Sequence, residues 1–427
     1  MASLNLQRNS EVFMSTVDLI NGATVTSMTP TNTWKLEVLA GFAVTSSSAT
    51  QDITSLESGT NPDRSQQRFN TAINPVDWNL QVYLRPTDVN TGAAANTTTA
   101  LTNSTGNVKP VADWFMWQSL VSNTKVADGT AEQSVWATGG KLQTTNVAAG
   151  TGSHSTRSNF STATENHMYF KLDNVIYQVS NATVNQATVD AGIEEIATVT
   201  WAGFGTTMRE LTGTPRNNAI SVFGGILNDG STVTANSNVH TLDHTAVAEA
   251  SYHPFNQMNV AGSIGTNSFI KNRLSAIEFH HKSSAGASDE KFTFPVTALT
   301  FDYNNNITYL TPEEISALNE PIGQFTGSRA VTGSATMYLR AGDLESAGFL
   351  RNIVEDSRTS SAQTSNANLI IGGTTAPYVA FQLDAVQFEF PSIATEDVVS
   401  MSVNFVGQEP TASKGTGGEM TMFAKKA

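Results

Sequence analysis

The chain has 427 residues, of which 39% are hydrophobic and only 14% are charged, and its formal net charge at pH 7 is −14. It contains no cysteine, which excludes disulfides and cysteine-based metal sites or nucleophiles. The acidic balance argues against a high-affinity nucleic-acid binder, because neutralising phosphates requires clustered lysine and arginine. Short apolar runs separated by small polar residues favour a mainly β protein.

The length allows two or three domains with cores of their own. Residues 1–20 lack a basic segment followed by an apolar core, and no stretch reaches the length of a membrane span. We therefore expect a protein made without a secretory signal and without membrane insertion.

Strands and one short helix are predicted in the first half of the chain. Apolar and polar residues alternate at 34–42 and at 77–84, where Pro86 ends the strand because proline cannot donate to a ladder. Apolar residues recur at helical spacing over 111–121. Alternation returns over 168–179, which predicts a further strand.

The second half shows the same kinds of element. Strands are predicted at 292–303 and 378–390, and Asp343 is a plausible cap for a helix that continues to Val354. A capping-box pattern at 311–314 predicts an additional short helix.

Several segments occur twice in the same order. Residues 170–177 return as 381–388, with Phe, Leu, Asp, Val and a final aromatic residue at identical spacing, and Tyr-Leu-Arg ends a strand at Arg85 and again at Arg340. A long internal repeat predicts two similar units. The first copy is the longer one, and we expect its extra residues in loops.

These repeats divide the chain into four parts. We expect a first unit with long loops at 1–213, a linker or small β insertion at 214–266, a second unit at 267–410 and a C-terminal tail at 411–427. The terminal segments are either frayed ends or contacts between copies of the chain.

Catalytic and metal-binding patterns are weak. His240 and His244 are spaced as metal ligands on a helix with Asp243 between them, but this segment has no helical pattern, and incidental loop histidines explain it better. No Gly-Lys-Thr or Gly-Lys-Ser phosphate loop and no Gly-x-Ser-x-Gly elbow occurs. We predict no enzymatic activity, no metal and no cofactor.

The repeat supplies the candidate structural or interface residues. Two interpretations remain open for the repeated arginines: each pairs with a carboxylate inside its own unit, or one of them faces a neighbouring subunit. Four pairs are shared by the copies: Arg85 with Arg340, Asp173 with Asp384, Phe170 with Phe381, and Tyr83 with Tyr338.

The order of elements resembles the tail tube, or major tail, proteins of long-tailed bacteriophages. The resemblance is carried by the strand at 34–42, the strand ending in Tyr-Leu-Arg at Arg85, the short helix, the strand at 170–177 and a last strand near Trp201. It implies two tandem units of the tail-tube type, each a β-sandwich or barrel with a short flanking helix. Family members ordinarily carry one unit, so this chain is of a duplicated-domain type.

The resemblance also implies an assembly. Family units close into rings of six, which removes exposed strand edges, and stacked rings form a hollow tube. A chain with two units is then expected to form homotrimeric, pseudo-hexameric rings that conduct DNA into the host during ejection. The implied partners are further copies of the chain, a tape measure protein, tail-terminator or baseplate proteins, DNA passing through the lumen and, in contractile tails, a sheath protein. The implied location is the virion tail, assembled in the host cytoplasm.

Two alternatives remain at this point. Another β-rich virion protein, such as an adhesin, capsid or decoration protein, shares the cysteine-free composition. A carbohydrate-active β enzyme requires carboxylates converging on a cleft, and the sequence identifies no such pair.

Overall fold

The computed structural model confirms a mainly β chain with few helices. It describes a set of segments separated by gaps, and every structural statement below refers to them. These residues are 10–15, 33–53, 67–90, 108–111, 113–121, 140–143, 166–172, 175–210, 269–281, 290–311, 321, 323–359, 365–373, 377–395, 398–409 and 419–425.

The elements follow one another along the chain as many short strands and two helices. The first half contains β1 (Ser10–Ser15), β2 (Thr33–Leu36), β3 (Ala43–Thr45), β4 (Ser48–Ile53), β5 (Gln67–Ile73), β6 (Val76–Tyr83), β7 (Pro86–Asn90), β8 (Val108–Val111), α1 (Trp114–Val121), β9 (Gly140–Gln143), β10 (His167–Leu172), β11 (Val175–Ser180), β12 (Thr183–Gly192), β13 (Thr198–Gly205) and β14 (Thr207–Glu210). The second half contains β15 (Ala276–His281), β16 (Glu290–Pro295), β17 (Ala298–Asn304), β18 (Ile307–Leu310), β19 (Gly323–Thr326), β20 (Ala330–Tyr338), α2 (Ser346–Thr359), β21 (Ser365–Ile371), β22 (Tyr378–Phe388), β23 (Ser392–Thr395), β24 (Val399–Gly407) and β25 (Thr421–Lys425).

Most strands belong to two sheets. One has the order β14-β11-β10-β1-β2, and the other has the order β16-β15-β21-β22-β24-β20-β17-β12-β13-β6-β3. β23 adds to β24, β25 adds to β22, and β9 adds to β25. The hairpins β4–β5, β7–β8 and β18–β19 form small sheets of their own.

The strand order of the first half recurs in the second. The order β14-β11-β10-β1-β2 has its counterpart in β25-β22-β21-β15-β16, and β3-β6-β13-β12 has its counterpart in β17-β20-β24 followed by the end of β22 and β23. The hairpins β4–β5 and β18–β19 occupy the same place in this order, and each half carries one helix before its β10 or β21 strand. Antiparallel pairing between β12 and β17, from Gln186 opposite Asn304 to Gly192 opposite Ala298, joins the halves into one continuous sheet.

The helices cover the apolar side of the sheets. The ring of Trp117 in α1 lies 4.8 Å from that of Trp201 in the first half and 5.3 Å from that of Phe381 in the second half. Phe349 in α2 stacks on Phe279 with a centroid distance of 4.8 Å, inside the second half. All five residues are fully buried, and such aromatic pairs stabilise a core beyond the area they bury.

Several predicted elements differ from the observed ones. Within 34–42 only residues 34–36 form a strand, as part of β2, and β3 follows this segment. The segment 168–179 forms two antiparallel neighbours, β10 and β11, where one strand was expected. Alternation continues through both hairpin arms, so the pattern alone does not reveal the reversal. The helix predicted at 311–314 lies outside the described residues. The predicted tail at 411–427 contains β25, which pairs with β22.

Two segments that are similar in sequence, 170–177 and 381–388, occupy different places in the strand order. Phe170 lies in β10, the third strand of its sheet, whereas Phe381 lies in β22, which takes the place of β11. The two segments therefore do not occupy equivalent positions, and Asp173 and Asp384 are separated with them. Neighbouring buried strands carry interchangeable apolar patterns, so a sequence comparison can slip from one strand to the next.

Candidate functional site

The repeated arginines occupy different environments. Arg85 follows β6, is 8% exposed and pairs with the carboxylate of Glu37. Its guanidinium also lies over the ring of Phe269, 5.1 Å from the centroid. Arg340 follows β20 and is exposed. The first interpretation thus describes Arg85, and the second remains a proposal for Arg340.

The repeated tyrosines differ in the same way. Tyr83 is half-buried and meets Phe269 edge to face at 6.0 Å. Tyr338, at the same place in β20, is 46% exposed.

The other candidates are core residues or lie outside the described segments. Phe170 stacks on Phe42 at 5.9 Å, and Phe381 stacks on Phe301 at 5.0 Å. Asp384 is half-buried and accepts a hydrogen bond from Gln382 at 2.5 Å. Asp173 lies outside the described residues.

The predicted histidine cluster around His240, Asp243 and His244 also lies outside the described residues. Within the described ranges, no group of three or more histidine and acidic side chains is arranged to hold a metal ion. In the same part of the chain, no helix combines the length and hydropathy needed to cross a membrane.

One face of the continuous sheet is mostly polar. It spans the strands β3, β6, β13, β12, β17, β20, β24 and β23, which together contain no lysine, arginine or histidine. Their acidic residues are Asp77, Asp190 and Asp302, all of which point away from the buried side. Threonine, serine, asparagine and glutamine fill most of the remaining outward positions. We call this surface the polar face.

Side-chain hydrogen bonds connect the strands of the polar face. Asp302 on β17 accepts hydrogen bonds from Gln186 Nε2 at 2.7 Å and from Thr188 Oγ1 at 2.6 Å, both on β12. Thr300 and Ser334 share a hydrogen bond of 2.7 Å between β17 and β20. The network therefore crosses the junction between the two halves and fixes the side chains nearest to it.

Among the described strands, the continuous sheet has edge strands at β3, β23, β16 and β9, and the part that carries the polar face ends in β3 and β23. β3 pairs with β6 on one side, β23 pairs with β24 on one side, and no described strand lies on the other side of either. Around β23 the chain exposes apolar side chains, with Phe390 66%, Ile393 47% and Val398 59% accessible. Free edges and clustered apolar residues are features of surfaces that pair with another chain.

A buried carboxyl lies beneath the polar face at the start of α1. Asp113 Oδ2 accepts a hydrogen bond of 3.0 Å from Trp201 Nε1. Burial raises the pKa of the Asp113 carboxyl to about 7, although this hydrogen bond and the charge of Arg85 act in the opposite direction. Before α2, Asp343 lies three residues ahead of the helix, is exposed and pairs with Arg351 at 3.2 Å.

Sequence reasoning identified the outward position of Asp77 from strand alternation but missed Asp190 and Asp302 as parts of one surface. A signal for them exists, because the strands of the polar face lack basic residues although the chain has 23 lysines and arginines. Recognising that signal requires knowing which strands are neighbours.

One known protein is similar in sequence to this chain over nearly its whole length. The chain is 26% identical over 416 residues to the tail tube protein pb6 of Escherichia phage T5, covering 94% of this chain and 72% of that protein. No family model matches.

Two solved structures show weaker likeness. The SPP1 tail tube structure is 16% identical with a TM-score of 0.25, covering 37% of this chain and 81% of that one. The baseplate structure of the anti-feeding prophage is 9% identical with a TM-score of 0.26, covering 36% of this chain and 94% of that one. These two scores are too low to carry an argument about the fold.

Proposed function

We propose that the chain, which is 26% identical over 94% of its length to a phage tail tube protein, is a structural protein of the virion tail and polymerises into the hollow tube through which DNA reaches the host. The recurring strand orders support two units of similar construction, at 1–213 and 267–410, with β25 completing the second. No catalytic step is assigned to the chain.

The observation that carries this proposal is the pairing of β12 with β17. It joins β12, the terminal strand of the order β3-β6-β13-β12, to β17, the terminal strand of the order β17-β20-β24-β23, so the contact is head to tail. Such a heterologous contact joins two different edges, and one edge of each type remains free in the chain: β3 on the first half and β23 on the second half. β3 takes the place of β17 in the strand order, and the end of β22 together with β23 takes the place of β12. A second chain can therefore add by repeating a pairing that already exists within the first.

Repeated head-to-tail contacts form a closed ring or an open filament, depending on the rotation between units. Closure after six units, as the family resemblance implies, requires three chains. The ring is then homotrimeric and pseudo-hexameric, and closure removes both free edges. The exposed apolar residues around β23 become buried in the process, which favours association.

We assign the polar face to the lumen of the tube. Outward aspartates with no basic residue in the same strands repel the phosphates of DNA, and small hydroxyl and amide groups offer no strong attachment. The genome then slides through without specific binding.

Stacking of rings is assigned to the hairpins β4–β5 and β18–β19, which expose Phe69 and Phe325 at 46% and 42%. The proposed partners are other copies of the chain, the tape measure protein, the tail-terminator or baseplate proteins and, in a contractile tail, a sheath. Assembly takes place in the host cytoplasm.

The test is electron microscopy of negatively stained purified protein. We expect rings with a central hole and stacked tubes, and Ile393→Lys is expected to abolish them because a lysine on a free edge opposes strand addition. Ile196→Lys is the matched control, since Ile196 is 42% exposed but lies between β12 and β13, away from both free edges. Monomers at high concentration from the unaltered chain, or tubes from Ile393→Lys, would overturn the proposal and favour another kind of virion protein.

A further inference from the structure

A short segment of the second half covers the end of the first. Residues 269–275 precede β15 and lie against the ends of β6 and β12. The ring of Phe269 contacts Tyr83 at 6.0 Å and Arg85 at 5.1 Å. This contact accounts for the partial burial of Tyr83 and adds to that of Arg85.

The same segment is attached by polar contacts. Asn272 is 6% exposed, and its Nδ2 donates a hydrogen bond of 3.0 Å to the carbonyl oxygen of Gly192 at the end of β12. Arg273 pairs with Glu194 at 3.8 Å on the exposed rim, where an ion pair contributes little. This covering segment adds to the other contacts between the halves, which include the pairing of β12 with β17, the pairing of β9 with β25 and the packing of Trp117 on Phe381.

The second half presents the same end without a cover among the described residues. Tyr338 and Arg340 lie at the end of β20 and are exposed, and Leu344 beside them is 60% exposed. We call these three residues the open end. Its apolar side chains correspond to a surface that the first half buries.

The counterpart of the covering segment is the N-terminus. β1 and β15 hold the same place in their sheets, and each carries an ion-paired glutamate: Glu11 pairs with Lys35 of β2, and Glu278 pairs with Lys291 of β16. Asn5 precedes Glu11 by the same number of residues as Asn272 precedes Glu278. The segment that leads into β1 is therefore 1–9, with Leu4 and Leu6 as its apolar residues.

We infer that residues 1–9 of a second copy of this chain bind the open end of the first. The inference rests on the proposed ring, in which the neighbour's β3 pairs beside β23 and brings its N-terminus to the place that 269–275 holds inside one chain. The neighbour's segment from Ala2 to Leu6 then covers Tyr338 and Leu344, and its Asn5 takes the role of Asn272. Each contact between chains becomes a copy of the contact between halves.

Disulfide trapping in assembled tubes tests this inference, because the chain has no cysteine of its own. Residue 2 corresponds to Phe269 in the same count, so Ala2→Cys is combined with Tyr338→Cys. We expect covalent oligomers up to a trimer on a non-reducing gel. The control is Ala2→Cys with Tyr83→Cys, which is expected to remain monomeric because Phe269 already covers Tyr83.

A second measurement avoids dependence on disulfide geometry. The single variant Tyr338→Cys is labelled with a maleimide before and after assembly, and we expect labelling to be lost in tubes of the full chain and regained in tubes that lack residues 2–9. Tubes without a link between chains and with full labelling, or a link within one chain, would overturn the inference and leave the tube proposal intact. Absence of rings and tubes from the unaltered chain would overturn both.

Discussion

Two regions of the molecule share a local sequence but differ in what covers them. Tyr-Leu-Arg ends β6 in the first half and β20 in the second, yet Arg85 is buried under Phe269 and paired with Glu37, while Arg340 is exposed. The helices that follow differ in parallel, because Asp113 is buried and Asp343 is exposed. For Arg85, the difference includes a cover from the second half, because the ring of Phe269 lies over its guanidinium. The exposed residues of the open end in the second half are the ones that a neighbouring chain is proposed to cover.

The largest expected effect concerns the aromatic residue that connects the halves. Truncating a buried tryptophan or phenylalanine costs about 3–5 kcal/mol. Trp117→Ala removes contacts with Trp201 and Phe381, so we expect this loss together with separation of urea unfolding into two transitions. Phe349→Ala is the control, because the aromatic rings it contacts lie within one half and the lower stability is expected without separation. A loss below about 1 kcal/mol for Trp117→Ala would contradict its connecting role.

The second largest effect concerns the pH dependence of the free energy of unfolding, to which Asp113 before α1 and Asp343 before α2 should contribute differently. The folded-state pKa of Asp113 is raised from 3.8 to about 7, so its contribution to stability is fully present below pH 3.8 and is lost as the pH rises through 7. We expect the free energy of unfolding to fall by on the order of 3 kcal/mol between pH 4 and 8. Asp113→Asn should flatten this profile, whereas Asp343→Asn should keep it. An unchanged profile in Asp113→Asn would show that another group titrates.

A smaller effect is expected from the two arginines. Arg85→Ala removes the contact of a buried guanidinium with Phe269 and its ion pair with the exposed Glu37. We expect a loss of about 1–3 kcal/mol in the free energy of unfolding of the unassembled chain. Arg340→Ala should change the same quantity by less than about 0.5 kcal/mol, because its side chain is exposed. Equal losses in the two variants would remove the contrast between the halves.

The smallest effect on folding is expected on the polar face. Asp190→Lys should leave stability within about 0.5 kcal/mol and permit tube formation, while slowing DNA release from virions because a cation in the lumen attracts phosphate. Asp343→Lys makes the same charge change outside the eight strands of the polar face and should leave release unchanged. Normal release with Asp190→Lys would count against the assignment of this face to the lumen.

Much of the local structure could be predicted. Alternation over 77–84 identified the buried and outward faces of β6, and helical spacing located both helices to within a few residues. The division of 168–179 into two strands and the correct partner of Phe381 could not be predicted, because each depends on which strands are neighbours. The polar face combines Asp77, Asp190 and Asp302 from distant parts of the chain, and no local pattern relates them.

The sequence by itself determined the mainly β character, because it arises from short-range periodicity that every strand must satisfy. Only the tertiary structure decided that the two halves join head to tail through β12 and β17, and that β3 and β23 remain free. Strands pair through backbone groups that every residue carries. The backbone therefore does not select the partner of a strand, and the packing of the side chains of whole sheets does. The same reason explains why Arg85 and Arg340, identical in local sequence, are buried in one half and exposed in the other.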